Sequence, residues 1–369
     1  MIPNKPLREK YGEVSWIDLA RILVVLAQLP TVLLWNLFKA AYVLTHKSWR
    51  RILGDTAFRF IAGRWNARQF QYVFGTTLQT YQKWTKQHGI APLVEEIDDD
   101  ARLMWIGPRR MDRVVLYFHG GGYVIPMQDF SVSFWNFVRL ELAHRNVHAG
   151  FAVLNYSIVP TAIFPTQLTQ AVNALKYVLA SGCRPENIQI VGDSAGANLA
   201  ISLLAHILHP VKGVPELSSP RIKGMYLMSP WVSLTGDTGS HSANDNTDIV
   251  GAGTFGYCGR RVLESVPESL CVYLEASKVP MQWFHGIEDL VERVLFTAGE
   301  AECLRDDIIK VSDAFSAHHS SVELIVDEDG VHNDPFYDFL VGEKKNRSKL
   351  TAEIISWLQK GFEEEQAVR

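Results

Sequence analysis

The chain has 369 residues, 47% of them hydrophobic and 21% charged, with a formal net charge of -4. That length suits one large domain or two smaller ones with a substantial core, and the absence of any basic block interleaved with aromatics excludes a nucleic-acid partner. The four cysteines, Cys183, Cys258, Cys271 and Cys303, form no CxxC pair, which speaks against a zinc site and against a disulfide framework.

Residues 1–50 stand apart from the rest. From Ile22 to Phe38 the sequence reads ILVVLAQLPTVLLWNLF without a charge, after Asp18 and Arg21 and before Lys39, Lys47, Arg50 and Arg51. The run is short for a spanning helix, and it extends over about residues 17–43 if the Lys39 ammonium snorkels. Three readings are open: a membrane anchor, an apolar helix over the mouth of the active site, and a cleaved signal peptide. The late start and the lack of a small-residue cleavage site weigh against the last. Pro30 predicts a kink or a shallow re-entrant element, and the basic residues after the run favour a cytosolic body.

Residues 51–103 mix aromatics (Phe58, Phe60, Trp65, Phe70, Tyr72, Phe74, Tyr81, Trp84) with charges and read as the amphipathic helices of a cap. From 104 to 369 strand-like and helix-like runs alternate. Arg113–His119 is a strand ending in glycines, Phe130–His144 a helix, and Phe151–Val159 a strand stopped by Pro160. Thr166–Leu179 has helical spacing, Asn187–Val191 is a short buried strand, and Ser194–Leu208 is an Ala- and Leu-rich helix. Ile222–Met228, Val294–Ala298 and Val322–Val326 read as further strands, with helices at Asp307–Ala317 and Lys349–Phe362. Between about 231 and 277 the pattern breaks into Gly, Ser, Asn and Asp, an insertion without a strand. Such alternation predicts an α/β fold, a mostly parallel sheet with helices on both faces.

Gly192-Asp193-Ser194-Ala195-Gly196 is a G-x-S-x-G sequence, weak alone and informative in context. The apolar strand IQIV runs into it and a helix runs out of it, as a nucleophile elbow at Ser194 requires. The helix N-terminus adds positive potential where negative charge develops in acyl transfer. His119-Gly120-Gly121-Gly122-Tyr123 follows another strand, and its glycines let backbone N–H groups approach a substrate oxygen closely. The expected oxyanion donors are Gly120, Gly121 and Ala195, with His119 a structural hydrogen-bonder of the loop. No Lys-Ser/Thr follows the glycines, which argues against a phosphate loop. In the chain order Ser, acid, His, the base follows the last strand, which selects His332 over His318, His319 and the outside candidate His285. The acid follows the penultimate strand: Glu302 is preferred, with Asp306 and Asp289 as alternatives.

With these residues in hand, the chain resembles the hormone-sensitive-lipase-like branch of the α/β-hydrolases over roughly residues 104–361. The resemblance rests on HGGGY at 119–123, NYSIVP at 155–160, GDSAGAN at 192–198, SPWVSL at 229–234, GEAECLRDD at 299–307 and GVH at 330–332. It implies the catalytic acid at Glu302, two residues before the LRD element, although the family more often carries Asp there; it also more often carries Asp at Asn155. It implies an N-terminal cap and a serine carboxylic-ester hydrolase. The apolar segment and insertion are similar to those of fungal members, some of them membrane-bound steryl-acetate deacetylases and others enzymes of secondary-metabolite pathways. The aromatic-rich cap and the apolar segment predict a small-molecule substrate that is an apolar or lipid-like ester, with no metal or organic cofactor. The expected location is a membrane, such as that of the endoplasmic reticulum, or the cytoplasm. Two other readings remain at this point: a pathway enzyme using the same site for cyclisation or another non-hydrolytic step, and a binding protein that has lost turnover.

Overall fold

The computed structural model describes residues 10–40, 47–217, 221–344 and 347–363, so residues 1–9 and 41–46 of the N-terminal segment 1–50 lie outside the described residues. The described residues form one sheet of eight strands: β1 (Val94–Glu96), β2 (Arg102–Trp105), β3 (Val114–Phe118), β4 (Gly150–Asn155), β5 (Ile188–Asp193), β6 (Gly224–Met228), β7 (Val294–Gly299) and β8 (Val322–Asp327). Their spatial order is β1-β2-β4-β3-β5-β6-β7-β8. β1 and β2 pair antiparallel, β2 joins β4 antiparallel, and all later neighbours are parallel.

The short apolar runs are strands because both faces of the sheet are covered. In β3, Val114, Leu116 and Phe118 enter one core, and Val115 and Tyr117 enter the other. Helices α1 (Trp16–Ala40), α2 (Trp49–Ala62), α3 (Ala67–Phe74) and α4 (Thr77–Gln87) precede the sheet. Then come α5 (Asp129–His144), α6 (Thr166–Ala180), α7 (Ala195–Leu208), α8 (Gly239–Ala243), α9 (Ala252–Leu263), α10 (Glu268–Cys271), α11 (Arg305–Ser316), α12 (Asp334–Leu340) and α13 (Lys349–Glu363). One core packs α6, α7 and α11 on the sheet, through Leu168, Leu199 and Ile308; the other packs α5 and α13, through Trp135 and Leu358.

The cap expected over 51–103 is helical only as far as Gln87. The residues that follow enter the sheet, because Leu103, Met104 and Trp105 are buried by antiparallel pairing with β4. Capping boxes at Asn66/Gln69 and Thr76/Gln79 start α3 and α4, each satisfying two otherwise orphaned N–H groups. The insertion over 231–277 carries α8, α9 and α10 and no strand among the described residues.

α1 runs unbroken through Pro30. Ile22 and Val25 pack with Phe60, Ala62, Trp65 and Phe70 in a third apolar cluster built by α1, α2 and α3. Asp18 anchors the start of α1, accepting from Ser15 Oγ (2.7 Å) and from Asn66 Nδ2 (3.1 Å). The opposite face, with Leu23, Val24, Leu34, Trp35 and Phe38, is exposed. The helix rests on α2 and α3, and none of its residues lines the cavity described below.

Candidate active site

The C-terminal ends of β3, β5, β6, β7 and β8 come into line, which is where an open α/β sheet gathers its functional loops. β5 ends at Asp193, the chain turns through Ser194, and α7 starts at Ala195. Ser194 has φ 50° and ψ -117°, a conformation that L residues avoid. Its backbone is held from the end of β6: Ser194 N donates to Met228 O (2.9 Å), and Trp231 N donates to Ser194 O (3.1 Å). Gly196 is required because a Cβ there would lie 2.0 Å from Phe118 O.

His332 lies on the loop after β8 and is buried. Its Nδ1 is 2.7 Å from Glu302 Oε1. An ionised carboxylate only accepts, so Nδ1 carries the proton and Nε2 keeps its lone pair as a base. Glu302, fully buried on the turn after β7, accepts at Oε2 from Gly299 N (2.8 Å) and Ser229 Oγ (3.0 Å). Ser229 Oγ in turn accepts from Asn333 N (3.0 Å). Burial opposes a charge on His332. The hydrogen bond to Glu302 and the negative charges of Glu302, Asp248 and Asp193 outweigh it, raising the imidazole above its ordinary value.

Of the three acids weighed from sequence, Glu302 reaches His332. Asp306 instead accepts from Ser240 N (2.8 Å) and pairs with Arg305, at the start of α11. Asp289 is exposed on a turn before β7. His285 is exposed, and its ring meets that of His318. His319 bonds to Val291 O and to Ser321 N. His119 is buried, stacked on Tyr156 and bonded to Gly120 O (2.7 Å); burial is the main cause of its pKa being lowered to about 4. It therefore stays neutral and ties the glycine loop down. Asn155 ends β4 and does not line the cavity.

One expected oxyanion donor needs correction. The Gly120 N–H is already given to Asp193 Oδ1 (2.9 Å), and a Cβ on Gly120 would come within 2.2 Å of Asp193 Oδ2. Gly120 thus lets a buried carboxylate grip the loop. No acceptor takes the N–H of Gly121 or Gly122 among the described residues, and Ala195, as the first helical residue, has no acceptor one turn back. The donors left for a substrate oxygen are Gly121, Gly122 and Ala195. Asp193 also accepts from Tyr117 Oη (2.6 Å) and Asn333 Nδ2 (3.0 Å), which links the elbow, the glycine loop and the residue after His332. Gly122, Asp193, Ser229 and Asn333 all lie inside or beside the sequence motifs, but only these tertiary contacts bring them to the site.

Ser194, His332, Gly121 and Gly122 line one cavity of about 420 Å³. Its remaining wall is mostly apolar, with Phe58 and Ile61 from α2, Phe70 and Phe74 from α3, and Phe255 and Cys258 from α9, beside a few polar groups that include Gln128, Asp129 and Ser131. No cluster of three or more His, Cys, Asp or Glu suited to a metal ion occurs among the described residues. The site is equipped for nucleophilic acyl chemistry: a strained serine, an oriented imidazole and free backbone donors at a helix start.

Known proteins share this frame. A Schizosaccharomyces pombe protein provisionally named steryl acetyl hydrolase mug81 is 29% identical over 243 residues, covering 61% of this chain and 60% of that protein. An acetyl-hydrolase of Streptomyces hygroscopicus is 30% identical over 155 residues, 40% of this chain and 45% of its own. Steryl acetyl hydrolase 1 of Saccharomyces cerevisiae is 25% identical over 252 residues, 62% of this chain and 55% of its own. The match thus spans 45–60% of the length of these relatives. Among solved structures, an esterase from the bacterial hormone-sensitive lipase family superposes with a TM-score of 0.63 at 22% identity, covering 86% of this chain and 99% of that one. At that identity the likeness speaks for the fold. The sequence profile described as alpha/beta hydrolase fold matches residues 115–335, from β3 through the start of α12, and the chain belongs to that family.

Proposed function

We propose that the protein is a serine carboxylic-ester hydrolase. The observation that carries this reading is the His332 Nδ1–Glu302 Oε1 contact of 2.7 Å, in one cavity with Ser194 on its strained turn. Ser194 Oγ attacks an ester carbonyl and passes its proton to His332 Nε2, and the N–H groups of Gly121, Gly122 and Ala195 receive the oxyanion. Glu302 holds the tautomer and offsets the imidazolium without taking a proton. His332 then protonates the leaving alcohol, and water, activated by the same imidazole, releases the acid from Ser194.

The aromatic wall favours an apolar alcohol or acyl group over a charged one, because burying a charge against carbon is costly. Relatives bearing the names acetyl-hydrolase and steryl acetyl hydrolase support an acetate of a bulky apolar alcohol. The exposed apolar face of α1, in a helix whose most apolar stretch has a mean hydropathy of 1.9, supports association with a membrane. Deleting residues 1–40 and following co-flotation with neutral lipid vesicles tests the last point; equal flotation with and without the segment would refute it. The main test is hydrolysis of p-nitrophenyl esters from acetate to palmitate by wild type and Ser194→Ala, beside labelling with a fluorophosphonate probe. Turnover and labelling that depend on Ser194 support the reading. A wild-type protein that neither hydrolyses nor labels overturns it.

A further inference from the structure

Asp248 belongs to the insertion between β6 and β7 and is not part of the acid–base pair, yet it is fully buried beside it. Its Oδ1 accepts from the N–H of His332 (2.9 Å) and of Ile249 (2.7 Å), and its Oδ2 accepts from the N–H of Cys303 (2.8 Å). Cys303 directly follows Glu302. One carboxylate therefore ties together the two loops that carry the acid and the base, through the main chain of both.

Its own segment is fixed to the same neighbours. Asn244 Nδ2 donates to Glu302 O (2.8 Å) and Glu300 O (3.1 Å), and Asp245 Oδ1 takes the N–H of Ala252 at the start of α9. From the cap, the Arg59 guanidinium of α2 donates to the carbonyl oxygens of Asp245 and Asp248. A run of hydrogen bonds thus leads from the cap through the 244–248 turn to the backbone of His332.

We propose that Asp248 is a positioning residue for the reaction: its carboxylate locks the backbone of His332 to that of Cys303, so that the His332–Glu302 contact is preset before Ser194 gives up its proton. The proposal rests on the hydrolase reading for its kinetic consequences and on geometry alone for the lock. A carboxylate suits the place because it accepts from three N–H groups and donates to none. An amide would turn a donor toward one of those N–H groups and leave it unpaired in a dry site. The charge also acts on the reaction. Four carboxylates lie around His332: Glu302 on the ring, Asp248 at its backbone, Asp193 through Asn333, and Asp334, whose charge Arg51 offsets. Burial and the charge of Glu302 raise the Asp248 carboxyl above its ordinary value, while His332 and the N–H groups of Cys303 and His332 hold it down; in its ionised form it favours imidazolium.

The test is Asp248→Asn in the full chain. With a p-nitrophenyl ester, kcat should fall about 10- to 100-fold with KM little changed, the size expected for one orphaned buried N–H. The acid limb of kcat/KM should move to lower pH by roughly half a unit, because a negative charge near imidazolium is gone. Independently of turnover, the low-field proton resonance of His332 Nδ1 should broaden or move. An unchanged limb and unchanged resonance in a folded variant overturn the proposal, even if stability falls. If the variant does not fold, the wild-type amide protons of His332 and Cys303 carry the test: titrating together with one midpoint supports the shared carboxylate, and independent behaviour overturns it. If wild type hydrolyses no ester while the His332 proton responds to Asp248→Asn, the hydrolase reading fails and the lock stands.

Discussion

At the ends of β3, β5, β7 and β8, the polar side chains around Ser194 are tied to one another: Glu302 to His332, Ser229 and Gly299, and Asp193 to Tyr117, Gly120 and Asn333. Across the same cavity, α2 and α3 present Phe58, Ile61, Phe70 and Phe74. The two sides meet through a few polar struts. Arg51 of α2 is buried against Asp334 (2.7 Å) and Asp338 (2.8 Å) of α12, Arg59 reaches the 244–248 turn, and Thr77 of α4 meets His119 (3.3 Å). The two sides suit two different tasks. Proton transfer needs donors and acceptors held within a few tenths of an ångström, which only mutually saturated hydrogen bonds provide. Retaining an apolar substrate needs area without fixed partners, which aromatic side chains supply.

Four measurements press on that contrast. Ser194→Ala should cut ester hydrolysis by about 10⁴-fold or more while leaving the unfolding midpoint nearly unchanged, since the hydroxyl is a chemical group and not a strut. Retained turnover would move the chemistry elsewhere. Arg51→Met should lower unfolding stability by about 3–5 kcal/mol in a urea titration, because Asp334 and Asp338 would lose their buried partner. A loss under about 1 kcal/mol would mean that the cap is held by its apolar contacts alone.

The pH profile follows from the sign of the shift on His332. In the proposed mechanism the base works neutral, and the surroundings of His332 favour its charged form, raising it above the ordinary value near 6.5. Activity should therefore appear as pH rises through a midpoint above that value, and Glu302→Gln should move this limb downward as well as lowering kcat. The same raised pKa contributes stability that is present below the unfolded value and lost as pH rises through the folded one. Smallest in effect, Phe74→Ala at the partly exposed rim should reduce kcat/KM for bulky apolar esters about 3- to 10-fold and spare small acetates. An equal loss for both would mean that Phe74 supports the site and does not select substrate.

Much of the polar side was legible in the chain, because its chemistry demands particular residues at fixed offsets from strands. G-x-S-x-G after IQIV, HGGG after VVLYF, and a histidine after SVELIV are local patterns, and the structure gathers all three at one end of the sheet. The same locality misled at Gly120. The motif named a glycine run with N–H groups, and only the fold brought Asp193 from 73 residues away to claim the first of them. β1 and β2 were hidden for a related reason: a three- and a four-residue strand carry too little pattern to stand out, and pairing with β4 is what makes them strands.

The alternating frame, the elbow, the glycine loop and the candidate base and acids can be read along the chain, since they rest on short-range periodicity and residue chemistry. The folded chain was needed to choose Glu302 over Asp306 and Asp289 by contact with His332, to show which N–H groups stay free, and to bring Asp248 between the acid loop and the base loop. These depend on contacts between positions 30 to 84 residues apart, and no local pattern encodes which of many buried carboxylates will arrive within 3 Å of a given nitrogen.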